Sequence, residues 1–174
     1  MDSPAAVAAV ALLVVLVVML AELRLSKGNE ATLRASGAIE PPEDVYTTMR
    51  WAYPAAFVAM ALEGAIIGPA PGVPTLVGAL LMAVSKALKY WAVASLGGRW
   101  TFRVLVVPGT SLVVRGPYAV VRHPNYIAVI GELVSMALLV GARATGPIAV
   151  VLFGLVLRRR IRVENEALRH LTCS

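Results

Sequence analysis

Residues 4–20 read PAAVAAVALLVVLVVML, an apolar run without a single charge. A helix built from it would have no face for water, and roughly 17 to 25 predominantly apolar residues suffice to span a bilayer. The run therefore predicts a membrane-crossing helix. A secretory signal would place basic residues before the run and a small-residue cleavage site after it. Only Asp2 supplies a charge ahead of this one, so it reads as a retained first span.

The rest of the chain fits that start. Hydrophobic residues make up 59% of it and charged residues 15%, with a mean hydropathy of +0.77. Soluble domains lie nearer roughly 45 to 50% and 25%, so the later apolar runs are read as spans as well. Residues 51–67 open on Trp51 and Tyr53, and residues 73–96 carry Tyr90 and Trp91 near their end, aromatic rings suited to the headgroup level. Residues 126–140 and 144–157 are shorter, a length that fits either spans or buried re-entrant helices. The turn 141–147 would fold them into a hairpin whose second helix continues through 158–171 outside the bilayer. The expected fold is an all-α integral membrane protein of about five transmembrane helices, with four as the alternative, in a single domain 1–174.

Three connections punctuate the spans. Residues 22–50, with Gly28, Gly37, Pro41 and Pro42, read as an exposed loop with a short amphipathic turn at 30–35. Pro69, Pro71, Gly72 and Pro74 make a rigid turn. Residues 97–125 are longer than a link requires, which favours a functional loop. Their β-branched stretches on either side of Pro108 and Gly109 predict a small hairpin over the membrane surface.

The net charge of +6 is a matter of topology before partners. Arg24, Lys27, Arg34, Arg50, Arg99, Arg103, Arg115, Arg122 and five arginines between 158 and 169 fall on one side of the predicted spans, and only Arg143 on the other. Cytoplasmic loops are enriched in Lys and Arg. The C-terminus and both long loops are therefore expected in the cytoplasm of a bacterial-type inner membrane, and no nucleic-acid partner is implied. One cysteine and two histidines leave no disulfide and no Cys- or His-rich metal site to expect.

Chemistry concentrates at 116–126, GPYAVVRHPNY, where Tyr118, Arg122, His123 and Tyr126 meet the mouth of an apolar run. On the tail, Arg160 and Glu164 stand four apart and share a helix face that can point at that stretch. Glu166 is rotated by about 200° from Glu164 and cannot share its task. Spacing alone favours an ordinary surface ion pair, and the tyrosines alone would fit headgroup anchors. The ionisable residues inside apolar runs, Glu63, Lys86, Lys89 and Glu132, read as Glu–Lys pairing between spans, with Glu132 a candidate to face a pocket near His123 and the lysines able to reach the interface.

LVVRGPYAVVRHPNY, an apolar hairpin and RRIRVENEAL together resemble the isoprenylcysteine carboxyl methyltransferase family of integral-membrane enzymes over about 86–168. Leu112, Val113, Gly116, Tyr118, Arg122, His123, Pro124, Tyr126, Arg160 and Glu164 stand at its motif positions. The resemblance implies a catalytic core at 86–174 behind N-terminal spans at 1–85. It implies a site for S-adenosylmethionine (SAM) formed by the cytosolic loop and C-terminal helix, and a lipophilic or prenylated acceptor drawn from the membrane lipid. Thr110, Ser111, Leu112, Val113, Tyr118, His123, Pro124, Asn125, Tyr126 and Glu164 would hold the cofactor, and Arg160 the acceptor oxygen. Arg160 and Glu164 are the catalytic pair this implies.

Two departures stand out. Asn165 replaces the second acid of the usual Glu-Glu pair, and the chain stops at Ser174, short of the Tyr-rich tail of many relatives. Lys86, Lys89, Tyr90 and Trp91, with Arg99, Trp100 and the Arg122-His123-Pro124-Asn125 form, are similar to a bacterial subgroup implicated in O-methylating long-chain alkylpyrones. Phospholipid N-methyltransferases, membrane reductases related to sterol reductases and a non-catalytic scaffold remain as alternatives.

Overall fold

The computed structural model describes residues 3–69 and 72–172, with side chains through 169; Pro71 and Cys173 lie outside the described residues. Five helices follow one another: α1 (Pro4–Ala35), α2 (Tyr46–Ile67), α3 (Val73–Leu96), α4 (Pro124–Val140) and α5 (Thr145–Thr172). Ser3 caps α1, its hydroxyl accepting from Ala6 N at 3.2 Å, and Pro4 follows in the first turn, where a missing N–H costs nothing. The segments Pro4–Ala35 and Val73–Arg99 are long and apolar enough to cross a membrane, and Pro124–Val140 is a shorter apolar helix.

The N-terminal helix departs from expectation. At 32 residues, α1 runs on through residues 22–35 of the region read as a loop and ends at Ala35. Its length, about 48 Å at 1.5 Å per residue, exceeds the ~30 Å hydrocarbon core of a bilayer. The reason lies on its inner face. Glu22 and Ser26 are buried and have partners on other elements, so these polar residues stay inside the bundle and the helix need not end. The link to α2 shrinks to 36–45, and α2 starts at Tyr46 rather than Trp51 because Asp44 Oδ1 accepts from Tyr46 N at 3.0 Å.

The hairpin expected within 97–125 does not form, and the described residues contain no strand. Instead Val106 pairs with Ile39 in one antiparallel bridge, with N–H to O distances of 2.9 and 3.1 Å. Val104 and Val106 bury their side chains against Val163 and Ala167 of α5. That burial fixes the backbone where the 36–45 link can reach it, while Leu112 and Val114 stay exposed.

Arg103 strengthens the same junction through Glu40 at 2.6 Å, and Arg34 also pairs with Glu40. Burial alone would raise the Glu40 carboxyl, but the two guanidiniums hold it below its ordinary value. A depressed carboxylate contributes stability above its unfolded pKa, and this is lost as pH falls through the folded one. Between about pH 6 and about pH 3 the protection factors of the Ile39 and Val106 amides, measured by hydrogen exchange, are expected to fall relative to those of α4. Glu40→Gln should flatten that dependence, and an unchanged pH response in the variant would remove Glu40 as its source.

The core lies where α1, α2, α4 and α5 meet, with Phe57, Met60, Leu133, Met136, Val140, Phe153 and Leu157 at its centre. A Cβ on Gly64 would sit 2.6 Å from Val140 Cβ, so α2 and α4 can approach this closely only with glycine there. α3 packs chiefly along α4.

Beside the core sits a charged cluster. Lys89 pairs with Glu22 at 2.7 Å and Glu132 at 3.3 Å, Lys86 with Glu132 at 3.0 Å and Glu22 at 3.4 Å. Tyr53 of α2 donates to Glu132 at 2.6 Å. The lysines thus turn inward instead of reaching for the interface, and Glu132 faces them rather than His123. Pairing between spans does form, but Glu22 takes the place expected of Glu63. Glu63 caps α5, accepting from Ala144 N, Thr145 N and Thr145 Oγ1 at 2.9, 2.7 and 2.5 Å.

Candidate active site

The start of α4 and the polar half of α5 meet outside the apolar core. Pro124 opens α4, which fixes φ at the first turn and leaves His123 as the N-cap. Before it, 116–119 forms a 3₁₀ turn seated on α3. Gly116 there has φ +60°, and a Cβ would run into Ser95 Oγ and lie 3.2 Å from Trp91 Nε1, so both conformation and close approach require glycine. The turn thereby carries Tyr118 and leads into His123.

Tyr126 is the hub. Its hydroxyl donates to Glu164 Oε2 at 2.5 Å and accepts from Arg160 Nε at 3.2 Å. His123 stacks on its ring with centroids 5.4 Å apart and 18° between planes. His123 Nδ1 lies 3.8 Å from Glu164 Oε2, and Nε2 lies 3.2 Å from Asn165 Oδ1, an arrangement satisfied when Nε2 carries the proton. Asn165, which departs from the usual acid, therefore has its own contact with the histidine.

Arg160 is 3% exposed. Nη1 pairs with Asp44, Nη2 donates to the Phe102 carbonyl at 2.7 Å, and Nε donates to Tyr126. Asp44 in turn accepts from Tyr46 N and, through Oδ2, from Val104 N at 2.9 Å. One carboxylate thus ties α2, the 97–123 connection and α5 together around the guanidinium. Phe102 N donates to Ser26 Oγ at 2.8 Å, which links α1 to the same point.

Other sequence-predicted residues stand nearby or apart. Tyr118 is partly buried; burial first and the Glu164 charge second push its hydroxyl well above the usual tyrosine range, so it stays a protonated donor. Asn125 Oδ1 is buried with no hydrogen-bond partner. Thr110 and Ser111 are engaged locally, Thr110 Oγ1 with Val107 O at 2.7 Å and Ser111 O with Arg99 at 2.7 Å. Leu112 is exposed and Val113 half-buried, and among the described residues no side-chain bond joins the 110–113 segment to Glu164. Sequence reading missed Asp44 and the Phe102 carbonyl. An acid two residues before an aromatic helix start is a capping signal that could have located α2, but nothing local in it points 116 residues away to Arg160.

A model of the isoprenylcysteine carboxyl methyltransferase (ICMT) family matches residues 77–170. This chain belongs to the ICMT family. The matched region contains α4, all but the last two residues of α5 and every motif residue above, and leaves α1, α2 and Asp44 outside it. Two relatives extend the similarity beyond the matched region. The uncharacterized protein YpbQ of Bacillus subtilis (strain 168) is 34% identical over 150 residues, 86% of this chain and 89% of that protein. An uncharacterized protein of Haemophilus influenzae (strain ATCC 51907 / DSM 11121 / KW20 / Rd) is 26% identical over 150 residues, covering 86% and 87%. No solved structure matches the chain. Membership in the ICMT family, with the apolar helices, makes this a membrane protein of methyltransferase lineage.

Proposed function

We propose that this ICMT-family protein is a SAM-dependent O-methyltransferase acting on an acidic oxygen, a carboxylate or an enolic hydroxyl, of a lipophilic acceptor at the cytoplasmic membrane face. The observation that carries the reading is the Tyr126 hydroxyl shared between Arg160 and Glu164, which couples a buried cation to a carboxylate at the rim of the bundle. All five helices would span or enter the bilayer, with the basic connections and tail inside.

The residues present fit SAM. Glu164 has a side chain 30% exposed, and its Oε1 takes no hydrogen bond among the described residues, leaving a carboxylate oxygen for an ammonium. The buried Asn125 Oδ1 has no partner and can accept from a donor on the cofactor, and the protonated Tyr118 hydroxyl can donate to the cofactor in turn. When bound, SAM provides an electrophilic methyl group on its sulfonium. For the rest, the chain orients. His123, stacked on Tyr126, walls the site with aromatic faces suited to a cation. Arg160 keeps one N–H on each terminal nitrogen beyond its three partners, enough to hold an acceptor oxygen. An acidic oxygen needs no strong base, only orientation and exclusion of water. An apolar slot of about 240 Å³, walled by α1 and α3 and floored by Met136 and Leu139, is lined by none of these site residues.

The test begins with purified protein in detergent. SAM should bind saturably in the micromolar range, and Glu164→Ala and His123→Ala should lose that binding; no binding by the wild type would sink the reading. Inside-out membrane vesicles given labelled SAM from outside should then methylate one of a prenylated cysteine and a long-chain alkylpyrone. Right-side-out vesicles should not, and label on phosphatidylethanolamine alone would move the chain to N-methylation.

A further inference from the structure

Arg160 and Glu164 stand one helical turn apart, the spacing at which an arginine and a glutamate ordinarily pair. In this structure they do not pair. The guanidinium turns to Asp44, 116 residues earlier, and among the described residues Glu164 has the Tyr126 hydroxyl and the more distant His123 ring on Oε2 and no partner on Oε1. We infer that Asp44 is a positioning residue that occupies Arg160 and thereby keeps the Glu164 carboxylate open for the cofactor ammonium. The inference rests on the proposed SAM site.

Three features carry it. Asp44 is built in rather than drifting at the surface: its side chain is 5% exposed, and besides Arg160 it accepts from Tyr46 N and Val104 N. Arg160 is at least as buried, so it cannot fall back on water if Asp44 is removed. An uncompensated buried cation seeks the nearest anion. On the same helix face that anion is Glu164, already one hydroxyl away through Tyr126. Capturing it would bring a positive charge to the spot where the cofactor's own positive group would sit. Asp44 thus acts on the cofactor through two intermediaries and need not touch it.

Such a role separates from a merely structural one by rescue. Asp44→Asn keeps an oxygen for the backbone donors and removes the charge. It is expected to weaken SAM binding, measured by calorimetry, by about tenfold or more, the scale of a partly buried ion pair. Adding Arg160→Gln, which removes the competing cation, should restore affinity to within about threefold of wild type, because the coupling disappears with its partner. Unchanged affinity in Asp44→Asn would overturn the inference. So would a loss that Arg160→Gln does not relieve, since it would mark Asp44 as scaffolding alone. Should Asp44→Asn fail to fold, Arg160→Gln with and without Asp44→Asn makes the same comparison: equal affinities are expected, and a further loss overturns the inference. Wild-type protein that binds no SAM refutes the proposed function and the inference with it, whereas the other outcomes touch the inference alone.

Discussion

Arg160→Lys is expected to lower the rate of acceptor methylation by at least about a hundredfold, close to 2.7 kcal/mol of transition-state stabilisation. The dissociation constant for SAM should move by less than about threefold. The charge survives the substitution, so the argument rests on shape. The guanidinium meets Asp44, the Phe102 carbonyl and the Tyr126 hydroxyl with three different nitrogens, and it still has donors left over. An ammonium is a compact point with three donors and cannot serve that fan while presenting a flat edge to an acceptor. Lysine at 160 would stay with Asp44 and release either the carbonyl or the hydroxyl. Single-turnover methylation beside SAM calorimetry reads the two effects separately. A parallel loss of both would place Arg160 with the cofactor instead of the acceptor, and full activity would remove it from the site.

How much of this site could be read from the sequence depends on how far apart its parts lie. The stretch 116–126 announces itself because its polar groups crowd within eleven residues at an apolar boundary, and the pair Arg160 and Glu164 because helical spacing is local. Their meeting through Tyr126 follows from the short α4–α5 hairpin, whose turn is also visible in the sequence. What local pattern misses is the N-terminal half of the site. The segment after Leu20 turns polar, and polarity read as a loop; in the fold the same residues are helical because Glu22 finds Lys89 and Ser26 finds Phe102, partners 67 and 76 positions away. The predicted hairpin failed for a related reason. β-branched residues such as Val104 and Val106 do extend, but α5 takes their side chains and the Ile39 backbone takes their edge, so tertiary contacts override the local pairing preference.

The charged cluster shows the largest expected effect on stability. Lys89→Met should lower the thermal midpoint in detergent by about 10 °C, as followed by tryptophan fluorescence, because removing one partner of a buried pair costs roughly 3 to 5 kcal/mol and each kcal/mol shifts a chain of this size by about 2 to 4 °C. Lys89 is 2% exposed and its loss leaves Glu22 and Glu132, 6% and 1% exposed, to share Lys86. In an apolar surrounding two carboxylates on one ammonium leave a buried negative charge without its partner, and relieving it loosens α1 from α3 and α4. Lys86→Met should cost less, since Lys86 has a side chain 16% exposed and lines the apolar slot, where water or headgroups can replace it. Neutralising an acid along with the base sharpens the test: Lys89→Met with Glu22→Gln should recover part of the loss, while Glu132 keeps Lys86 and the Tyr53 hydroxyl. If Lys89→Met melts within about 2 °C of wild type, less than 1 kcal/mol resides in the cluster. If Lys86→Met proves the more damaging, the charge that matters is the one facing the slot, and the cluster belongs to ligand recognition rather than to the joining of the helices.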